Sequence, residues 1–188
     1  MLEWRDEGAV LSMRPHGESA AIIEVFTAHH GRHAGVVRCG ASRKLAAVLQ
    51  PGSQVAVEWR ARLEGHVGAF TVEPVRSRAA VLADRLALAG LSATCALLRS
   101  ALPEREPHLP LWQGSMVLLD ALAEGGDWPA LYLRWEMQML EELGFGLDAL
   151  MLTADVTEAM TARDPSRPRP SCAARWPRCG CPRRRRYP

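Results

Sequence analysis

A chain of 188 residues, 48% of them hydrophobic, is long enough for one or two domains with a real core. Its five cysteines form no even disulfide framework, and it shows neither a secretory signal nor an apolar run of membrane-spanning length; the expectation is a cytoplasmic protein with no membrane partner. The net charge of +2 hides a segregation: residues 1–80 carry ten Lys/Arg against eight Asp/Glu, residues 81–146 four against nine, and residues 147–188 nine against four.

In chain order, Ala9 to Arg14, Ala20 to Thr27 and Arg32 to Arg38 are candidate strands bounded by Gly, Pro, Ser or His-rich breaks. Cys39 to Leu49 supplies a short helix or loop. The clearest strand follows, where Val55, Val57, Trp59 and Ala61 alternate with Gln54, Ala56, Glu58, Arg60 and Arg62. Phe70 to Val75 is the fifth. Five short strands in about 80 residues suggest a small barrel, because closure removes aggregation-prone edges. Trp59 and Phe70 are in phase with core positions.

After residue 79 the composition turns Ala/Leu-rich, and helices are predicted over Ala80 to Ala101, Leu109 to Ala123 and Pro129 to Leu143. Asp127 is placed to cap the last helix, Pro129 sits in its first turn, and Gly144 follows its end. Ala130, Leu133, Met137 and Leu140 form its predicted core stripe. The paired acids Glu141 and Glu142 are read as solvent-facing.

From Asp148 the chain becomes rich in Arg and Pro, ending Cys179-Gly180-Cys181-Pro182 before four arginines. Proline at this density interrupts backbone pairing and the arginines repel one another, so disorder is expected over 148–188. The Arg/Pro/Cys/Ala/Trp vocabulary is that of a GC-rich gene read out of frame. We therefore expect a frameshift near codon 148, which resequencing to an intact single frame would reject. Cys172, Cys179 and Cys181 offer no fourth ligand for structural zinc.

Gly8-x-Val10-Leu11-x-x-Arg14-Pro15-x-Gly17-Glu18, then Val25-Phe26-Thr27, Gly31-Arg32, Gly35-Val36-Val37-Arg38 and Leu49-Gln50-Pro51-Gly52, stand in an order that resembles the start of RecO, the bacterial recombination mediator family. Arg134-Trp135-Glu136 and Gly144-Phe145-Gly146 resemble the end of that family's helical part. The resemblance covers about 146 residues and stops at Asp148. It implies an α+β fold: an OB-type β-barrel over 1–79 that binds nucleic acid, an incomplete helical domain over 80–147, and the aberrant tail over 148–188. Cys39 stands where the family commonly has Gly, which is expected to strain or reshape that turn.

The implied function is DNA repair by homologous recombination without enzymatic activity or cofactor. RecO acts with RecR, engages single-stranded DNA coated by the single-strand binding protein SSB, helps load RecA and anneals strands. Double-stranded DNA is a further implied partner, and the implied location is nucleoid-associated. Arg14, Arg32, Arg38, Arg43, Lys44, Arg60 and Arg62 are assigned to phosphate contact on the family's use of this region. Such contacts release counterions and weaken steeply with salt. Few aromatics precede residue 80, which favours electrostatic binding over base stacking. Arg134 matches an arginine near the groove that receives the acidic, apolar SSB tail, while Leu133 stands where some relatives have a second arginine. The alternative for Arg134 is an intrahelical or inter-domain salt bridge.

His29, His30 and His33 are placed at a hairpin tip rather than in a metal site, since a convergent third ligand is needed. No nucleophile elbow, Walker-type phosphate loop or His-Glu-x-x-His pair is found. The competing function is that of a truncated remnant that is inactive or only interacts with partners, and the Arg-rich tail offers a second, nonspecific route to nucleic acid.

Overall fold

Alternating side chains build the first half of the molecule. The computed structural model describes residues 2–40, 42–63 and 67–145; the expectations of a disordered, frameshifted tail and the reading of Cys172, Cys179 and Cys181 lie outside them. Strand β1 spans Leu2–His16, β2 Ala20–Thr27, β3 Gly31–Val37, β4 Gln54–Ala61 and β5 Gly68–Arg76, with helix α1 at Arg43–Val48. In β4, Val55, Val57, Trp59 and Ala61 are buried while Arg60 is exposed, the period of two that the sequence announced. Helix α1 starts at Ser42, whose hydroxyl oxygen accepts the Leu45 N–H.

Strand β1 begins well before the predicted Ala9. Its first half pairs antiparallel with β4, from Leu2 opposite Ala61 to Ala9 opposite Gln54. Its second half pairs with β2, and the register shifts between Val10 and Ser12. That bulge lets one strand serve two neighbours and close the sheet. The result is a closed barrel of order β1-β2-β3-β5-β4, in which only β3 and β5 run parallel. Val10, Ile23, Val25, Leu49, Trp59 and Phe70 fill its interior. Trp59 lies so close to Gly68 that a Cβ there would stand 2.2 Å from Nε1. Both predicted core aromatics are 4% exposed.

A 3₁₀ turn at Ala79–Ala83 leads to α2 (Arg85–Ala101), α3 (Leu109–Glu124) and α4 (Trp128–Glu142). The Asp84 carboxylate accepts the Leu86 and Ala87 N–H groups at the start of α2, a cap the sequence reading overlooked. Asp127 occupies the cap position of α4, yet its side chain makes no capping bond. The core face of α4 also differs from the predicted stripe. Trp135 and Met139 are buried, flanked by Trp128, Leu131 and Tyr132, whereas Leu133 is exposed. The bulky aromatics claim the interior, and the Trp135 indole N–H finds the Ser115 hydroxyl at 2.8 Å.

The outer face of the barrel shares a second core with the helices. Phe26 points out of the barrel and is fully buried among helical residues that include Leu98, Leu111 and Leu119; burying one such side chain contributes about 2 kcal/mol. At the same seam Gly31, with φ +70°, sits where a Cβ would be 2.1 Å from the Glu106 carbonyl oxygen. Among the described residues no helix is long and apolar enough to cross a membrane.

Candidate nucleic-acid interface

Five strands place one row of side chains around the outside of the barrel. Arg14 lies opposite Ile22, Ile22 opposite Val36, Val36 beside Ala69, Ala69 opposite Arg60, and Arg60 opposite Glu3. Their chain neighbours Ala21, Val37, Phe70 and Ala61 point inward and are buried, so the row faces out by the strand period. Across β3, β4 and β5 an open groove of about 580 Å³ is lined by Arg38, Arg60 and Arg62 together with Leu45, Phe70 and Thr71. Three of the seven predicted cations thus converge on one concavity. Its lining combines guanidinium groups with apolar carbon, the two surfaces a nucleic-acid strand presents partners for.

The predicted cations fall into distinct environments. Arg14, Arg38 and Arg62 are exposed, and among the described residues none of the three has an ion pair. Arg60 is exposed but paired, its guanidinium 3.0 Å from Glu3 and also in contact with Glu58. The hydrogen bond and charge of Glu3, then the charge of Glu58, raise its pKa above the ordinary arginine value.

Arg32, also assigned to phosphate contact, lies at the seam between barrel and helices. Its side chain is 14% exposed, its Nε donates to the Leu102 carbonyl at 3.2 Å, and Glu24 and Glu104 lie 3.4 and 3.6 Å away. It holds the barrel to the helices. Arg43 and Lys44 begin α1 directly after the β3 connection; their side chains lie outside the description. Arg134 is exposed on α4 beside exposed Leu133, and no ion pair to it is found among the described residues. Glu142, read as solvent-facing, instead meets His108 at 3.2 Å with only part of its surface exposed.

Cys39 has φ +56°, the left-handed conformation that favours glycine, so the turn after β3 is strained as the sequence suggested. His29 and His30 occupy the β2–β3 turn, and both rings reach Asp6, at 3.1 and 2.9 Å. His33, by contrast, is buried in the barrel against Trp4 and Trp59. Burial, then the charges of Arg105 and His30, lower its pKa to about 4. Among the described residues no group of three or more His, Cys, Asp or Glu is arranged to hold a metal ion.

Residues 1–78 match the family described as Recombination protein O N terminal, and residues 82–150 match Recombination protein O C terminal. The chain belongs to the RecO family. The DNA repair protein RecO of Cereibacter sphaeroides is 71% identical over 148 residues, covering 79% of this chain and 62% of the relative. The RecO of Roseobacter denitrificans is 64% identical over 147 residues, 78% of this chain and 61% of its own. That of Jannaschia sp. is 53% identical over 148 residues, 78% and 60%. This chain therefore spans about 62% of the length of such RecO relatives, and the matched part contains the whole groove.

The RecO similarity ends close to Asp148, where the sequence reading placed the change of character. Sequence reasoning found the groove cations but missed Glu3, Arg5 and Glu58, which lie beside them. Their signal is the alternation of acid and base along two strands that pair across the barrel closure.

Proposed function

We propose that this chain works in DNA repair by homologous recombination, with residues 1–79 as the nucleic-acid-binding domain and residues 80–147 as an incomplete helical docking domain. The observation that carries the reading is the groove of Arg38, Arg60 and Arg62 on a closed five-stranded barrel, in a chain whose relatives are DNA repair proteins RecO. Arg38 and Arg62 supply phosphate contacts, with Arg14 extending the path across β1 and β2 and Arg43 and Lys44 adding charge from the start of α1.

Binding of this kind follows the backbone and tolerates any sequence. It serves single-stranded and double-stranded DNA. RecR, the SSB tail and, indirectly, RecA are the protein partners in this reading, and the site of action is the cytoplasmic nucleoid. Exposed Leu133 and Arg134 offer the SSB tail an apolar and a cationic contact on neighbouring positions. The chain performs no catalysis and needs no cofactor; it organises DNA for others.

The end of the RecO match at residue 150 of 188 favours a second reading, a protein that retains DNA or partner binding without loading a recombinase. One titration separates the cases. Fluorescence anisotropy of labelled single-stranded DNA is measured against salt for the full chain, an Arg38→Gln/Arg62→Gln variant and a deletion of residues 149–188. Binding that the double variant weakens and the deletion keeps supports the barrel. Binding lost only with the deletion rejects it in favour of the tail. Retained DNA binding without stimulated RecA loading onto SSB-coated strands identifies the second reading.

A further inference from the structure

Beside the groove the outer surface of the β1–β4 pair carries a ladder of alternating charge. Glu3 faces Arg60 and Arg5 faces Glu58 across the strands, while Glu58 and Arg60 are neighbours along β4. Every member is paired: Arg5 to Glu58 at 3.0 Å, Arg60 to Glu3 at 3.0 Å, and Arg60 to Glu58 in direct contact. Glu58 is the pivot, since both arginines reach it and its side chain is only 16% exposed, against 76% for Arg5 and 49% for Arg60. Desolvation pushes the Glu58 carboxyl upward, but the charges of Arg5 and Arg60 outweigh it and hold the group below the usual carboxylate value. It stays ionised at any pH at which the protein would meet DNA.

We propose that Glu58, assisted by Glu3, is a built-in competitor for the DNA backbone, occupying Arg60 and Arg5 and thereby capping the affinity of the groove. The inference rests on the reading of the groove as a DNA site. Phosphate and carboxylate offer the same guanidinium fork a similar pair of oxygens. A strand entering the groove beside Arg38 and Arg62 reaches Arg60 only by displacing a carboxylate, and the displaced charge then repels the phosphates. The exchange therefore adds little net attraction. It also hides one or two arginines from the salt dependence, because an internally paired cation has no share in counterion release. Arg5 thus belongs to the interface as a reserve cation, opposite Glu58 at the groove's edge.

The test uses the full chain and labelled single-stranded DNA between about 50 and 200 mM salt. Glu58→Gln frees Arg5 but leaves Arg60 held by Glu3, and Glu3→Gln leaves Arg60 held by Glu58. The double variant, which frees both guanidiniums, is expected to bind roughly fivefold tighter at the low-salt end. Its log–log salt slope should steepen by about 0.7 for each arginine released. Adding Arg5→Gln and Arg60→Gln to that background should return both quantities to the starting values. Unchanged affinity and slope in the double variant, with binding still weakened by Arg38→Gln/Arg62→Gln, overturn the competitor while leaving the groove intact. Indifference to Arg38→Gln/Arg62→Gln overturns the groove reading and this inference with it. Should Glu58→Gln fail to fold, Glu58→Asp combined with Glu3→Gln decides, because the shorter carboxylate draws back from both arginines and Glu3 is 44% exposed in a surface pair.

Discussion

Two sets of arginines, one at the seam of barrel and helices and one at the barrel's open end, are put to opposite use. On the side that meets the helices, Arg32, Arg76, Arg78 and Arg99 all bind carboxylates of the other part: Arg32 Glu104, Arg76 Asp120 and Glu124, Arg78 Asp120, and Arg99, from α2, Glu24 of β2. At the open end Arg14, Arg38 and Arg62 have no such partner among the described residues. Side-chain chemistry is identical in the two places, so the neighbours decide whether a guanidinium glues the protein together or waits for an external anion. Arg60 stands between the two conditions, exposed and lining the groove yet held by Glu3 and Glu58.

The seam can be broken most severely through its apolar anchor. Phe26→Ala removes a fully buried ring from the shared core and should cost about 4 kcal/mol, read as a loss of midpoint in denaturant unfolding. Next comes Arg78, whose side chain is 1% exposed and donates to Asp120 at 2.6 Å, the Gly52 carbonyl at 2.8 Å and Gln54 at 2.9 Å. Arg78→Met should cost roughly 3 kcal/mol by stranding those acceptors. Arg76 binds the same Asp120 at 2.6 Å but is 47% exposed, so Arg76→Gln should cost less than about 1 kcal/mol. Equal losses for the two arginines would show that burial is not what separates them.

Acidification probes the barrel interior separately. His33 is buried, and desolvation, then Arg105 and His30, lower its pKa from 6.5 to about 4. The unfolded chain thus binds a proton that the folded one refuses between these values. Stability is fully present above pH 6.5 and falls as the pH drops toward 4, by roughly 2 to 3 kcal/mol. From the acid end of that window downward the lowered carboxyls of Glu24 and then Asp6 add their own loss. Thermal unfolding of His33→Gln should show a flatter profile between pH 6.5 and 4; an unchanged profile would locate the acid sensitivity elsewhere.

Local pattern revealed what local pattern encodes. The run Val55, Val57, Trp59, Ala61 announced β4, and Ala20–Thr27 appeared as β2 at its predicted bounds. The first half of β1 was hidden because Asp6, buried in its middle, breaks the apolar alternation, and only a distant turn supplying His29 and His30 satisfies that carboxylate. The face of α4 was misjudged for a similar reason: Ala130, Leu133, Met137 and Leu140 form a regular stripe, but Trp135 brings more volume and a partner in Ser115. Among site residues, Arg60 and Arg62 were legible on one face of the alternating β4 run and Arg38 at the end of the third predicted strand, but not that they meet in one groove. That Arg32 serves the seam and that Glu58 sits between two arginines depends on strand partners and helix docking, which no residue spacing states.

The smallest effect on stability should accompany the largest on binding, and it falls at the open end. Arg38 and Arg62 are exposed and anchor no other described residue, so the Arg38→Gln/Arg62→Gln variant should unfold within about 0.5 kcal/mol of the parent. Each lost phosphate contact should lower the log–log salt slope for single-stranded DNA by about 0.7, hence by about 1.4 for the pair. A variant destabilised as much as Arg78→Met would assign these arginines to the fold and erase the contrast between the two ends. A slope that drops while stability holds would mean that the open end is kept free of carboxylates for an anion from outside, with Arg60 as the one groove arginine whose freedom Glu3 and Glu58 ration.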